Sequence, residues 1–182
     1  KFGIWIEPEM VNPKSELAER HPDWIVQSPG REQITMRNQL LLDLTRGEVR
    51  DYIVDSVTKL LDSAEISYVK WDMNRQMAGV GGAYSHRYIL GLYEVLHRVF
   101  DARPDILFES CSSGGNRFDL GMLCFSPQIW ASDDTDPIER LDIQRGFSYL
   151  YPLSTMGAHV SASPHAQTLR HTPMGTRFAV SC

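Results

Sequence analysis

Short apolar runs alternate with longer amphipathic stretches, and this alternation constrains the fold more than any other feature. Six runs have the length and composition of strands, and they cover residues 1–7, 39–44, 67–72, 106–111, 128–133 and 157–161. Their starts lie roughly 20 to 40 residues apart, and the stretches between them show helical periodicity. This spacing is typical of βα units rather than of antiparallel hairpins. The pattern therefore predicts an α/β protein with a parallel sheet.

Local signals predict where three of the intervening helices begin. Thr45 and Glu48 have the spacing of a capping box, so a helix is expected directly after Thr45. A second helix is expected from about Ser85 to the residues before Pro104. Asp136, followed by a proline, predicts the N-cap of a third helix.

Polar residues follow nearly every predicted strand, where the ligands of βα proteins bind. They are Glu7, Glu9, Asp43, Lys70, Asp72, Glu109, Cys111, Asp133, Asp134, His159 and Ser161. No glycine-rich turn follows the first run, and the chemical residues are spread over many strands, which favours a (β/α)8 TIM barrel over a nucleotide-binding sheet. A whole barrel takes about 250 residues. We therefore expect residues 1–182, which lack an initiator methionine, to form a partial catalytic barrel domain of about six βα units.

Composition limits the partners and the compartment. The chain has 18 Lys and Arg against 23 Asp and Glu, a net charge of −5, which argues against nucleic acid and anionic membranes as partners. No run of about 18 apolar residues could span a membrane. The three cysteines are few and odd in number, so they do not suggest a disulfide framework, and this favours a cytoplasmic location. Self-association of a full-length protein is left open.

The segment around Asp72 places charged and apolar side chains on opposite faces of a strand. Lys70, Asp72 and Asn74 share one face, and bulky apolar residues alternate with them. A lysine two residues away favours the ionised carboxylate of Asp72, which suits a nucleophile or an electrostatic stabiliser. A purely structural ion pair of Lys70 with Asp72 is an equally good interpretation of this pattern alone.

Three aspartates lie close together at the end of the fifth run. Clustered carboxylates suit a hard cation, but Asp136 is already explained as a helix cap, and Asp134 lies on the opposite strand face from Asp133. Asp133 then faces inward, and repulsion from the two neighbouring carboxylates favours its protonated form, as a general acid requires. A carboxylate nucleophile and a carboxylic acid together are the groups that cleave glycosidic bonds.

Other residues fit a sugar pocket, although each also has a structural explanation. Trp5 could stack on a sugar ring or pack in the core, and Arg37 could bind a hydroxyl or be a solvated surface charge. The small-residue loop 109–117, with Gly114, could approach a substrate closely. Cys111 lacks partner spacing for a thiol nucleophile, and no histidine pair has metal-ligand spacing, so no metal or cofactor is expected.

Five segments resemble, in order, the barrel of the glycoside hydrolase family 36 α-galactosidases. They are FGIWIEPEMV (2–11), RNQLLLDLTR (37–46), KWDMNR (70–75), ESCSSGGNRFD (109–119) and WASDDTDPIER (130–140). The resemblance implies a retaining α-galactosidase that acts on raffinose- and melibiose-like oligosaccharides through a covalent galactosyl-enzyme and without a cofactor. It implies that Asp72 is the nucleophile and Asp133 the acid/base. The galactose pocket is then expected to include Trp5, Arg37, Lys70, Asn74, Cys111 and Gly114.

The chain departs from the family pattern in two places. The family's upstream aspartate pair, which grips the galactose hydroxyls, has no counterpart in residues 1–182, and residues 164–170 read PHAQTLR where PNHQTGR is expected. Two other classes of function stay open at this point. One is a metal-assisted barrel lyase or isomerase that uses Glu109, Asp133 and Asp134 as ligands, and the other is a sugar-binding fragment without catalysis.

Overall fold

The computed structural model describes residues 1–182, in which strands and helices largely alternate. The strands are β1 (Phe2–Ile6), β2 (Met10–Val11), β3 (Leu40–Leu41), β4 (Ile66–Trp71), β5 (Leu107–Ser110), β6 (Gln128–Trp130) and β7 (Met156–Gly157). The α-helices are α1 (Glu16–Arg20), α2 (Gly47–Asp62), α3 (Gly82–Phe100), α4 (Leu120–Leu123), α5 (Pro137–Ser148) and α6 (Met174–Ser181). The chain divides into two compact units, residues 1–108 and 109–182. None of the helices combines the length and the apolar character that crossing a membrane requires.

The first unit is built on two parallel strands, β1 and β4. Trp5 is paired with Lys70 in their register, and Ile6 is paired with Trp71. Val69 and Trp71 on one face of β4 are fully buried, and the ring centroid of Trp71 lies 6.2 Å from that of Phe100 in α3. The opposite face, with Lys70, is only partly covered. The predicted separation of charged and apolar faces along this strand is therefore confirmed.

A buried glutamate ties the end of β1 to the core of the first unit. Glu9 is fully buried, and its carboxylate accepts hydrogen bonds from Trp71 Nε1 (2.9 Å) and from the hydroxyl of Tyr88 in α3 (2.7 Å). Buried carboxylates require such donors because their desolvation is otherwise costly. Glu9 therefore lies in the core, not with the strand-end residues expected to face a ligand.

The segment 39–44 does not form the parallel strand predicted for it. Its strand residues Leu40–Leu41 pair antiparallel with Met10–Val11. Four of the six predicted runs correspond to the parallel strands β1, β4, β5 and β6, and the run 157–161 overlaps β7 only at Gly157. The leucines are buried because the chain folds back over the end of β1, where the amide of Leu42 donates to the carbonyl of Glu9 (2.9 Å). A short apolar run indicates that a segment is buried but not the direction in which it pairs, so the prediction of a parallel strand was wrong here.

The helix starts agree with the sequence signals unevenly. Thr45 donates from its amide and its hydroxyl to Asp43 Oδ1, so the predicted capping box is wrong, and α2 begins at Gly47 without a side-chain cap. Helix α3 begins three residues before Ser85. The N-cap predicted at Asp136 is confirmed, because its Oδ1 accepts the backbone N–H groups at the start of α5.

The second unit contains three parallel strands. Strand β6 pairs with β5 on one side and β7 on the other, with Ser110 opposite Ile129 and Trp130 opposite Gly157. The polar residues that follow β5 and β6 therefore lie at one edge of this three-stranded arrangement. The predicted parallel α/β class is confirmed by these pairings.

Candidate active site

Asp72 lies directly after β4, and its side chain is held by two N–H donors. Its amide continues the β1–β4 ladder by donating to the carbonyl of Ile6 (2.9 Å). Its Oδ2 accepts from Trp5 Nε1 (3.1 Å), and its Oδ1 accepts from the amide of Met73 (2.8 Å). The residue is 5% exposed. Both carboxylate oxygens therefore have fixed directions, as a positioned nucleophile requires.

Trp5 lies on the open face of β1. It is 54% exposed, so it does not fill the core, and its indole N–H is already bound to Asp72. An exposed aromatic ring beside a carboxylate can stack on the apolar face of a sugar. The exposure of Trp5 therefore favours the prediction that its ring stacks on a sugar over the alternative that it packs in the core.

A second carboxylate, Glu7, connects the residues around Asp72. Asn74 donates to Glu7 Oε1 from its side-chain amide (2.5 Å) and its backbone N–H (3.3 Å). Gln39 donates to the other oxygen of Glu7 over 2.9 Å. Asn74 is buried by this arrangement. Glu7 was identified only as a polar strand end, and no sequence spacing marked it as the partner of Asn74.

Arg37 lies in a tight turn, two residues before Gln39. It forms the tip of a tight hairpin with Asn38, both residues having positive φ (52° and 59°), closed by backbone hydrogen bonds between Met36 and Gln39. Two positive φ values are what a two-residue hairpin turn requires. The side chain of Arg37 is exposed and makes no hydrogen bond or ion pair. Lys70 is half-buried on the same strand face as Asp72.

Asp133 lies three residues after the end of β6, in a turn that Trp130 supports. Trp130 Nε1 donates to Asp133 Oδ1 over 2.9 Å, and Asp133 is exposed. The indole ring stacks on His159, with centroids 5.0 Å apart, and the central guanidinium carbon of Arg140 lies 4.7 Å from the ring centroid. The structure therefore presents an accessible carboxylate on a fixed support.

The other two aspartates of this segment serve the backbone. Asp134 Oδ1 accepts the amide of Asp136 over 2.9 Å, and the backbone carbonyl of Asp134 accepts from Arg140. Asp136 is fully buried at the start of α5. These contacts agree with the interpretation of Asp136 as a cap, and they give Asp134 a role in the turn.

Asp136 also binds a downstream loop. Arg170 donates to its Oδ1 over 2.6 Å, and the hydroxyl of Thr168 donates to its Oδ2. Burial acts to raise the pKa of Asp136, but the hydrogen bonds from Thr168, from two backbone N–H groups and from Arg170 outweigh it and lower the pKa to about 2. His165, also buried, lies 2.9 Å from the hydroxyl of Thr135. The PHAQTLR segment thus anchors the turn, which its sequence alone did not reveal.

The loop after β5 lies against the turn that carries Asp133. Gly114 has φ +84°, and a Cβ at this position would lie 3.0 Å from the Cα of Ser132 and 3.2 Å from the amide of Asp133. Only glycine fits such a close approach without strain. Cys111 is buried as a free thiol, which agrees with its interpretation as a small apolar residue.

The alternative of a metal site at Glu109, Asp133 and Asp134 can be compared with the arrangement of the carboxylates. No three His, Cys, Asp or Glu side chains within residues 1–182 converge as ligands, so the structure gives no support to Glu109, Asp133 and Asp134 as a metal site. Glu109, at the end of β5, is buried, and this burial raises its pKa to about 7.

Comparison with known proteins identifies the family. The family model described as "Melibiase" matches residues 1–182. The chain is 55% identical over 178 residues to the bifunctional α-galactosidase/sucrose kinase AgaSK of Mediterraneibacter gnavus, covering 97% of this chain and 19% of that protein. It is 51% identical over 190 residues to α-galactosidase AgaA of Geobacillus stearothermophilus, covering 100% of this chain and 26% of that protein.

Solved structures agree with the sequence comparison. The crystal structure of the family 36 α-galactosidase AgaA matches with a TM-score of 0.95 and 51% identity, covering 100% of this chain and 26% of that one. An AgaA variant in complex with raffinose matches with a TM-score of 0.93 at 49% identity, with the same shares covered. The chain thus spans about a quarter or less of the length of these relatives. The predicted α/β class, with an incomplete barrel, agrees with these relatives, and the chain belongs to the melibiase family and to the glycoside hydrolase family 36 α-galactosidases within it.

Proposed function

We propose that the protein carrying this chain is a retaining α-galactosidase that removes terminal α-linked galactose from raffinose- and melibiose-type oligosaccharides. The observation that carries the proposal is the carboxylate of Asp72, oriented by Trp5 Nε1 and the amide of Met73 at the end of β4. Relatives that match the whole chain are named α-galactosidases, and variants of one are described in complex with raffinose and with stachyose. The oligosaccharide class is supported by those complexes.

The proposed reaction has two displacements. In the first, a carboxylate oxygen of Asp72 bonds to the anomeric carbon, the bond from that carbon to the leaving oxygen breaks, and Asp133 donates its proton to that oxygen. In the second, Asp133 removes a proton from water, the water oxygen bonds to the anomeric carbon, and the ester bond to Asp72 breaks. Galactose leaves in the α configuration, and both carboxyl groups return to their starting protonation states.

The remaining pocket residues have supporting roles in this proposal. The exposed indole of Trp5 stacks on the galactose ring while its N–H holds Asp72. A contact of Asn74, which is held by Glu7, with a sugar hydroxyl is a prediction that follows from the family resemblance. Contacts of galactose with Lys70, Arg37, Cys111 and Gly114 stay predictions that follow from the family resemblance. The reaction needs no cofactor, because two carboxyl groups and water supply all the transferred atoms.

We also propose that the protein works in the cytoplasm. All three cysteines, Cys111, Cys124 and Cys182, are free thiols, which supports a reducing compartment. Measurement of the thiol state of the protein isolated from its native cells would test this location.

Trapping of the covalent intermediate tests the assignment of Asp72. The complete protein is incubated with a 2-deoxy-2-fluoro-galactosyl fluoride, digested, and mapped by mass spectrometry. We expect the label on the peptide that contains Asp72, and no label in an Asp72→Asn variant. In parallel, NMR of the first product from an aryl α-galactoside should show the α anomer. Label on another residue, or a β product, would overturn the proposal.

A further inference from the structure

Arg140 is a buried arginine on the first turns of α5, and its donors point back to the turn that follows β6. It is 2% exposed. Its Nε donates to the carbonyl of Asp134 and one terminal nitrogen donates to the carbonyl of Ser132, both over 2.8 Å. The other terminal nitrogen reaches the carbonyl of Gly157 in β7 over 3.5 Å.

These two short hydrogen bonds bracket one residue. Ser132 and Asp134 are the neighbours of Asp133 on either side. The carbonyl of Ser132 belongs to the peptide group before Asp133 and the carbonyl of Asp134 to the peptide group after Asp134, so the guanidinium anchors the backbone on both sides of Asp133. Because peptide groups are planar, these two anchors limit how far the backbone of Asp133, and with it the direction of its side chain, can rotate. A planar guanidinium can bridge two carbonyls in this way, whereas a lysine ammonium is a point donor on a flexible stem.

The same guanidinium also supports the side chain of Asp133 through a second route. The central carbon of Arg140 lies 4.7 Å from the centroid of the Trp130 ring, and Trp130 Nε1 donates to Asp133 Oδ1 over 2.9 Å. A cation over an indole face restrains the ring. Arg140 thus holds both the backbone of Asp133 and the donor that orients its carboxylate.

The charge of Arg140 is not balanced by a carboxylate contact. Its hydrogen bonds go to backbone carbonyls, and burial lowers its pKa against the weaker opposing effects of Asp134 and Asp133. Burial of a guanidinium costs more free energy than burial of an apolar side chain of similar volume. Stability alone therefore accounts poorly for an arginine at this position.

We propose that Arg140 is a positioning residue for the acid/base carboxyl of Asp133, an inference that rests on the proposed function. Arg140 does not meet the substrate. It holds Asp133 at the leaving oxygen, so its loss displaces the proton donor while the nucleophile stays in place. Misplacement of a catalytic group by about 1 Å costs on the order of 100-fold in rate.

The test compares two substrates in the complete protein. Raffinose has a poor leaving group that needs protonation, and p-nitrophenyl α-galactoside has a good one that needs little. The variants are Arg140→Met and the milder Arg140→Lys. Arg145→Met serves as the matched control, because Arg145 is exposed on the same helix and donates only to the hydroxyl of Tyr149. Asp133→Ala provides the reference pattern, and thermal melting checks that each variant is folded.

We expect kcat/KM for raffinose to fall about 30-fold in Arg140→Met and about 10-fold in Arg140→Lys, and kcat/KM for the aryl substrate to fall less than about 3-fold. The basic limb of the raffinose pH profile should also shift, because the donor's surroundings change. Arg145→Met should leave both rates unchanged. An equal fall for both substrates in a folded Arg140→Lys variant would overturn the inference.

A double-mutant cycle separates this inference from the proposed function. If Arg140 acts through Asp133, then Arg140→Lys in the Asp133→Ala background should cause no further loss on raffinose. Fully additive losses would overturn the positioning role while leaving the function intact. If Asp133→Ala shows no preference between leaving groups, the acid role of Asp133 fails and the positioning role fails with it.

Discussion

Trp5 Nε1 donates a hydrogen bond to Oδ2 of Asp72 over 3.1 Å, across the parallel strands β1 and β4. Trp130 makes the same kind of contact with Asp133 over 2.9 Å. Each proposed catalytic carboxyl is therefore oriented by a neutral indole donor. A neutral N–H donor fixes the direction of a carboxylate oxygen without adding a charge of its own.

Trp5→Phe should separate the two roles of this indole. Phenylalanine keeps an aromatic ring but lacks the N–H, so Asp72 loses one donor while stacking on the sugar is retained. We expect kcat to fall about 10-fold, because a hydrogen bond to a charged group contributes about 1.5 kcal/mol, with little change in KM. Steady-state kinetics on an aryl α-galactoside measures both values.

Trp24→Phe is the matched control for this variant. Trp24 lies outside the site, where its ring stacks on His21 with centroids 4.0 Å apart. It should leave kcat and KM unchanged. A rise in KM with an unchanged kcat for Trp5→Phe would show that the N–H to Asp72 has no part in the chemical step.

Gly114→Ala should disturb Asp133 from the side of the β5 loop. The added methyl group would meet the Cα of Ser132 at 3.0 Å, at a residue with φ +84°, so the turn must shift or the loop must retreat. We expect kcat/KM for raffinose to fall at least about 10-fold, with a smaller loss for an aryl substrate.

Gly146→Ala is the control for that substitution. Gly146 lies in α5 with nothing within 4 Å of an added Cβ, and alanine favours a helix over glycine. It should keep full activity and melt at an equal or higher temperature. Full raffinose activity in Gly114→Ala would contradict the close contact between the two loops.

Gly91→Ala should be one of the most destabilising single substitutions in the first unit. A Cβ on Gly91 in α3 would lie 2.1 Å from the carbonyl oxygen of Leu44, so the helix must move away from the start of α2. Overpacking of this kind costs about 3 kcal/mol. We expect a lower melting temperature or insoluble protein, whereas Gly82→Ala, with open space around its Cβ, should be neutral.

Two features that depend on neighbouring residues alone were predicted correctly from the sequence, whereas the capping box at Thr45 was not. The alternation of polar and apolar residues along 68–73 predicted the buried face that contains Trp71, and Asp136 followed by Pro137 predicted the start of α5. The prediction of a parallel strand at 39–44 was wrong, because the burial of Leu40–Leu42 does not determine whether the strand runs parallel or antiparallel to its neighbour. The partners of Asp136 were missed because Thr168 and Arg170 are more than 30 residues away in the chain, and no local pattern reports such contacts.

The hydrogen bonds around Asp136 predict how stability depends on pH. Its pKa in the folded protein is about 2, below the ordinary value of 3.8, because donors from Thr168, the backbone and Arg170 outweigh the effect of burial. A group with a lowered pKa stabilises the folded state above its unfolded pKa, and this contribution is lost as the pH falls through the folded pKa. The contribution of Asp136 is therefore fully present at pH 5 to 7 and declines between about pH 4 and pH 2.

Asp136→Asn tests this expectation. Asparagine can still accept the backbone N–H groups at the start of α5, but it has no charge for Arg170 and no second carboxylate oxygen for Thr168. We expect the variant to be less stable by about 2 kcal/mol at pH 7, measured by thermal melting of the complete protein. The difference in melting temperature between the variant and the wild type should be the same at pH 5 as at pH 7 and should be smaller at pH 3.

Asp142→Asn is the control, because Asp142 is exposed on the same helix, and its melting temperature should equal that of the wild type at every pH. A gap for Asp136→Asn that is constant from pH 7 to pH 3 would mean that the ionised carboxylate is not what anchors the loop of Thr168 and Arg170 to the helix.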